Sequence, residues 1–148
     1  MKFTNSDLLL KISILKNEIE DQIHLCSNVS KLEQVDRKSL LEISASTEEK
    51  IDKLKTYQKI ILKRNANTEV TFKGASIKVE DLIKLKEGLL LKKKLKNILI
   101  NIPSENEELL KISLEAFQSV QEYKKDLSLI HKILNDFNNM QFKLEDSE

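Results

Sequence analysis

The sequence has 148 residues, is 40% hydrophobic and 33% charged, and contains two Gly, one Pro, one Cys and no Trp. It has ample apolar material for a core and more charge than the usual ~25%. So few turn formers argue against an all-β fold or a nucleotide-binding α/β fold and favour long helices with few connections.

This length predicts a single helical domain over residues 1–148. The lone Cys26 excludes an internal disulfide and points to a reducing, cytoplasmic location. Lys2 is followed by an acid at Asp7, and Leu8-Leu9-Leu10 is broken at once by Lys11, which is not the pattern of a signal peptide. No apolar run approaches the ~18 residues of a membrane span.

Helix one is expected over about Ser6–Cys26, with Thr4, Asn5 and Ser6 all acceptable N-caps and Asp7 suited to the positive end of the dipole. Leu8, Ile12, Leu15, Ile19, Gln22 and Cys26 step by four and three, the seam spacing of a coiled coil, with a polar gap at Gln22. Leu9, Ile14 and Ile23 widen the stripe. Residues 27–36 lack a clean period and read as a loop. Helix two follows over about Arg37–Asn65, with Leu40, Ile43, Ile51, Leu54, Tyr57 and Ile61 as its buried side. Ser44, Ala45, Ser46 and Thr47 interrupt that stripe, so either one helix or two with a break near Ser46 fits.

The only β-like stretch lies between residues 65 and 78. Val70-Thr71-Phe72 and Ala75-Ser76-Ile77 flank Lys73-Gly74, which predicts a small β-hairpin over 69–77 with Gly74 supplying a positive φ. A plain loop is the alternative. Helix three is expected over about Val79–Ile100, with Glu80 and Asp81 in its first turn and Leu82, Leu85, Leu89, Leu95 and Leu99 as core positions. Gly88 costs this helix about 1 kcal/mol relative to Ala and is a candidate for a close helix approach. Pro103 ends it, and Ser104 with Glu107 spells a capping box. Helix four then runs over about Glu105–Phe137, with Leu110, Phe117, Val120, Leu127, Ile130, Leu134 and Phe137 at three–four spacing. At ~1.5 Å per residue it spans about 50 Å, which argues for an elongated bundle or a partner chain. A tail over 139–148 carries Met140, Phe142 and Leu144, which can fold back.

The fold expected is therefore all-α: an elongated antiparallel bundle or coiled coil of about four helices, with a β-hairpin between helices two and three. A two-stranded ribbon is marginal alone, so Val70, Phe72 and Ile77, together with Phe117, Leu127 and Leu134 of the long helix, are the candidate self-association residues.

The net charge of +1 is unevenly spread: residues 50–96 hold 14 basic and 5 acidic residues, a net +9, and the rest of the chain carries −8. Either the basic middle packs beside acidic outer helices, or it is a surface for an anionic partner. Lys84, Lys92, Lys93, Lys94 and Lys96 are the candidate anion contacts, with Lys86 in the same run. The run lacks interleaved aromatics for stacking and Arg for base reading, which argues against specific nucleic-acid recognition and leaves non-specific binding open.

No Gly-rich phosphate loop, G-x-S-x-G or H-E-x-x-H is present. His24 and Cys26 are two apart and point about 200° apart on a helix, too far to share a metal. His131 stands alone. The pairs Glu48-Glu49, Glu107-Glu108 and Glu145-Asp146 sit at helix starts or in the tail, where dipole and solvent account for them. No catalytic residue, metal or cofactor is expected. The reading is a non-enzymatic, homo-oligomeric structural or interaction protein, with another protein partner as an alternative.

Several segments resemble a family of small, uncharacterised bacterial helical proteins, some labelled septicolysin. Asn65-Ala66-Asn67-Thr68 is similar to its N-x-x-T turn, found also in phage proteins. Gly74, Ser76-Ile77 and Asp81-Leu82 are similar to its G-x-T-L strand-to-helix passage, and Asn138-Asn139 to its Asn-Trp ending. Met1-Lys2 leading into an amphipathic helix fits the same layout. The chain departs in lacking the Trp, in a longer hairpin and in a shorter connection around Pro103. The resemblance implies an elongated helical protein with a β-hairpin and no established activity. The cytolysin label would imply membrane damage, for which the sequence offers no inserting stretch.

Overall fold

The computed structural model describes residues 2–32, 34, 36–103 and 105–143. In chain order the elements are β1 (Lys2–Phe3), α1 (Asn5–Ser30), α2 (Arg37–Asn67), β2 (Glu69–Phe72), β3 (Ala75–Lys78), α3 (Val79–Ile100), α4 (Glu107–Asn138) and β4 (Phe142–Lys143). The protein is all-α with a β-hairpin between α2 and α3. The chain groups into two compact units, Met1–Arg64 with Asn138–Glu148, and Asn65–Phe137.

In the first unit, α1 takes Thr4 as its cap among the three candidates, because Asp7 stands three residues later. The Asp7 amide donates to Thr4 Oγ1 at 3.0 Å and the Thr4 amide to Asp7 Oδ2 at 2.9 Å, a reciprocal capping box. That choice puts Asn5 inside the first turn, where it is fully buried. Leu8, Ile12, Leu15 and Ile19 of the expected seam are buried, and α1 runs on to Ser30.

Asp36 starts α2: its carboxylate accepts from the Ser39 hydroxyl at 2.6 Å and from the Lys38 amide at 3.1 Å. The Ser39 hydrogen bond chiefly holds the Asp36 pKa below its ordinary value. The helix passes Ser46 without a break. Thr47 is buried, its hydroxyl 2.7 Å from the Ile43 carbonyl and 2.9 Å from Gln22 Oε1 on α1. The polar gap of the first helix thus faces the polar gap of the second. Lys50 and Glu18 pair across the same two helices at 3.4 Å.

The ends of this unit meet in a way the sequence does not announce. β1 and β4 pair antiparallel, with Phe3 opposite Phe142. Phe142 is buried with Leu8 and Ile60, and Phe3, Tyr57 and Ile61 pack around them. Lys11 lies over the Phe3 ring at 4.7 Å. The Arg64 guanidinium lies 3.6 Å from the centroid of Phe142, while Arg64 Nε donates to Asn5 Oδ1 at 2.9 Å. Asn5 Nδ2 in turn donates to Asn138 Oδ1 at 3.4 Å. Burial pushes the Arg64 pKa down, though an arginine stays protonated in a protein. Of the tail residues, Phe142 folds back, Met140 is exposed, and Leu144 lies outside the described residues.

In the second unit, β2 and β3 pair with Phe72 opposite Ala75, leaving Lys73-Gly74 as a two-residue loop. Both have positive φ, 49° at Lys73 and 79° at Gly74, which is the signature of a type I′ turn. Val70, Phe72 and Ile77 pack on a cluster of Val79, Leu82, Leu89, Ile130, Leu134 and Phe137 from α3 and α4. Lys73 Nζ reaches Asp126 Oδ1 on α4 at 2.7 Å, which anchors the turn. The Val79 amide donates to the Thr68 carbonyl at 2.9 Å, so the first residue of α3 closes the base of the hairpin.

At the other end, α4 begins two residues later than expected. Asn106 precedes it, accepting from the Leu109 amide at 2.9 Å on its side chain and from the Leu110 amide at 3.1 Å on its carbonyl. Ser104, the expected cap, lies outside the described residues. Ser113 Oγ donates to the Ile100 carbonyl at 2.8 Å, satisfying one of the orphan acceptors at the end of α3.

Two glycine substitutions are expected to act in opposite directions. Gly74→Ala meets no steric obstacle but sits at φ +79°, so it destabilises the fold by about 1 kcal/mol or more. Nothing lies within 4 Å of a Cβ at Gly88, so no close helix approach needs that glycine. Gly88→Ala therefore stabilises the fold by up to about 1 kcal/mol. Urea unfolding of both variants against the parent checks the pair. In the same assay Asn5→Ala costs about 1–3 kcal/mol, because it removes a buried amide bonded on both sides. Ser13→Ala, on the exposed face of α1, stays within about 0.5 kcal/mol.

Candidate interaction surface

The helices of the second unit carry more apolar residues than their shared core uses. On α3, Val79, Leu82 and Leu89 are buried. Leu91, Leu95 and Ile98, spaced i, i+4, i+7, lie roughly opposite Leu82 and Leu89 on the helix. They are 68%, 57% and 62% exposed. On α4, Ala116, Val120, Ile130, Leu134 and Phe137 are buried, while Leu110, Leu114 and Phe117 repeat the same spacing and are about half exposed. Each helix therefore bears two stripes, one turned to the core and one to solvent.

This arrangement redistributes the residues singled out from the sequence. Val70, Phe72, Ile77 and Leu127 are half-buried against the unit's own core, and Leu134 is part of that core. Their apolar surface is used within the chain. Phe117 alone of the six candidate self-association residues is exposed. Leu85 and Leu95 on α3, and Leu110 and Phe117 on α4, are core positions by periodicity but face solvent. The reason is steric: a helix with one neighbour covers one stripe only, and the smaller Ala116 takes the interior place beside Val120. Leu91, Ile98 and Leu114 were not apparent from a single-stripe reading of each helix. Their i, i+4, i+7 alignment with Leu95, and with Leu110 and Phe117, is the signal that marks them.

Of the candidate anion contacts, Lys84, Lys92 and Lys94 are exposed, and Lys93 and Lys96 are half-buried. Lys92 and Lys94 flank the Leu91–Leu95–Ile98 stripe on either side. Among the described residues no ion pair joins these five lysines to an acid. The exposed stripe of α4 has mixed surroundings. Glu107 and Lys111 are exposed beside it, while Glu108 and Glu115 are exposed on the side of the helix turned away from it, and Lys111 leans on Glu115 at 4.0 Å.

Elsewhere, a groove of about 270 Å³ in the first unit is lined by Ile23, Cys26, Ser27, Ser30, Ser44, Thr47 and Glu48. Glu48 is its single carboxylate, and Cys26 is a free, half-buried thiol. His24 and His131 are both exposed. No group of three or more His, Cys, Asp or Glu among the described residues is placed to hold a metal ion. Among the same residues, no helix is long and apolar enough to cross a membrane. Comparison with known proteins finds no matching family model, no matching curated protein and no matching solved structure.

Proposed function

We propose that the chain is a non-enzymatic, self-associating structural or interaction module that acts in a reducing, cytoplasmic compartment. The observation that carries the reading is the second apolar stripe on α3 and α4, Leu91, Leu95 and Ile98 with Leu110, Leu114 and Phe117, all at least 45% exposed. Scattered surface leucines need no explanation, but aligned ones of this exposure mark a surface that is covered in use. The candidate assembly residues of the hairpin are instead occupied by the chain's own core.

A second reading has its own support. Leucines flanked by lysines on one helix face also suit an anionic lipid surface, and α3 has that composition. It would act at the membrane surface, since no described helix spans one.

The deciding measurement is molar mass in solution by sedimentation equilibrium at tens of micromolar. A stable mass of at least twice 17.1 kDa is the expected result. A mass of one chain across the whole concentration range would reject self-association.

A further inference from the structure

The seam between α1 and α2 changes character along its length. On the N-terminal part of α1 it is filled by Leu8, Ile12, Leu15 and Ile19, all buried. Beyond Ile19 the seam positions pass to Gln22 and Cys26, and the stretch of α2 that meets them includes Ser44 and Thr47. Side chains this small do not fill the space between two helices, and a groove of about 270 Å³ opens there. It holds about nine waters at ~30 Å³ each and lies just under the roughly 300 Å³ at which ligand clefts begin, so it suits a small molecule. Ile23 supplies its apolar wall and is 54% exposed.

The polar groups of this groove are acceptors. The Ser30 hydroxyl donates to the Ser27 carbonyl at 2.7 Å, and the Thr47 hydroxyl donates to the Ile43 carbonyl at 2.7 Å. A hydroxyl has one proton to give, so both oxygens have only lone pairs left to offer. Thr47 is buried at 8% exposure and also meets Gln22 of α1, which fixes its oxygen in place. Glu48 adds a carboxylate that no ion pair among the described residues uses, and among those residues no Lys, Arg or His lines the groove. We infer that the groove is a binding site for a small primary ammonium with a short apolar chain. An ammonium carries three N–H donors and no acceptor, the complement of this lining, and its chain lies along Ile23 beside Cys26. An anion would be repelled by Glu48, and a neutral alcohol leaves that charge unanswered. The site belongs to the first unit and does not depend on self-association.

Cys26 is the sole cysteine and lines the groove, so it reports on occupancy in the full-length chain. The probes are n-hexylammonium, n-hexanol and hexanoate, which share a chain and differ in charge. The thiol is titrated at neutral pH with the neutral disulfide dithiodipyridine, and proton–nitrogen NMR follows the amides of Ser27, Ser30 and Thr47 as a readout independent of the thiol. Hexylammonium is expected to slow Cys26 labelling and to shift those amides saturably, about fivefold more tightly than hexanol. Hexanoate is expected to do neither. Glu48→Gln keeps the shape of the groove and is expected to bring hexylammonium down to the affinity of hexanol. Ser30→Leu, at an exposed position, fills the groove and is expected to abolish binding of both, with circular dichroism checking that helix content is kept.

Amides that do not move with hexylammonium up to tens of millimolar would overturn the assignment, whatever the reactivity of the thiol. Equal binding of all three probes would reduce the groove to a non-selective apolar notch, and hexylammonium that binds Glu48→Gln as tightly as the parent would remove the carboxylate from the site. Either result rejects an ammonium site and leaves the proposed self-association untouched.

Discussion

Asn5 is the polar group on which the first unit turns. An amide with no exposure is costly unless both its ends are bonded, and here the oxygen accepts from Arg64 while the nitrogen donates to Asn138. Arg64 and Asn138 are the residues at which the chain leaves and re-enters this unit. The bond therefore fixes α1 against the end of α2 and against the start of the C-terminal segment at once. Everything nearby is too weak to hold alone. β1 and β4 contribute two residues each, far short of an independently stable sheet. They persist because Phe142 is buried between Leu8, Ile60 and the Arg64 guanidinium. Charge, ring and amide are mutually dependent, so loss of one exposes the others to water.

The second unit solves a different problem. A two-residue type I′ turn fixes hairpin register, and register decides which face is apolar. Val70 pairs with Ile77 and, with Phe72, turns to the helices. The hairpin thus acts as a lid on one end of an α3–α4 core, and Lys73 holds its tip through Asp126. With the lid in place the core is closed from within, and the apolar residues left over are those on the outer faces of the helices. A pair of helices buries one stripe from each partner. Sequences with apolar residues all round need more neighbours than that, and α3 is such a sequence.

Much of this was legible in the residues. Helix number, the hairpin and the limits of α3 follow from periodicity, from Lys73-Gly74, from the first-turn acids Glu80 and Asp81 and from Pro103 beyond its end. The missing parts are of three physical kinds. The β1–β4 pair joins Phe3 to Phe142 across the whole chain, and two-residue strands carry no local signal. The weak stretch of α2 looks like a break when read alone; only Gln22 on α1, opposite Thr47, shows why a polar residue is tolerated there. On α4, Leu110 and Phe117 share the three–four period with Val120 and Ile130 over a short window. Over 32 residues a helix of 3.6 residues per turn drifts away from any fixed spacing, and the two ends of such a list fall on different faces. The candidate surface was half legible for the same reason: Phe117 and the lysines were in view, but the stripe that unites Leu91, Leu95 and Ile98 was merged with the core.

Charge segregation is the last feature that calls for a cause. Pairs such as Lys50 with Glu18 and Lys73 with Asp126 show that some of the basic middle does complement acids within the chain. The lysines of α3 are not of that kind, and keeping so many like charges on one helix costs stability through their mutual repulsion. A surface that bears mostly one sign discriminates between partners in a way that a mixed surface does not. Two α3 faces brought together would set lysine against lysine, so the charge on α3 disfavours its packing against a second α3. Apolar seams alone are indifferent to partner, because leucine packs as well on one stripe as on another. The charges would supply the choice while the leucines supply the area. Salt at physiological strength screens beyond about 8 Å, so such selection would act only at contact range.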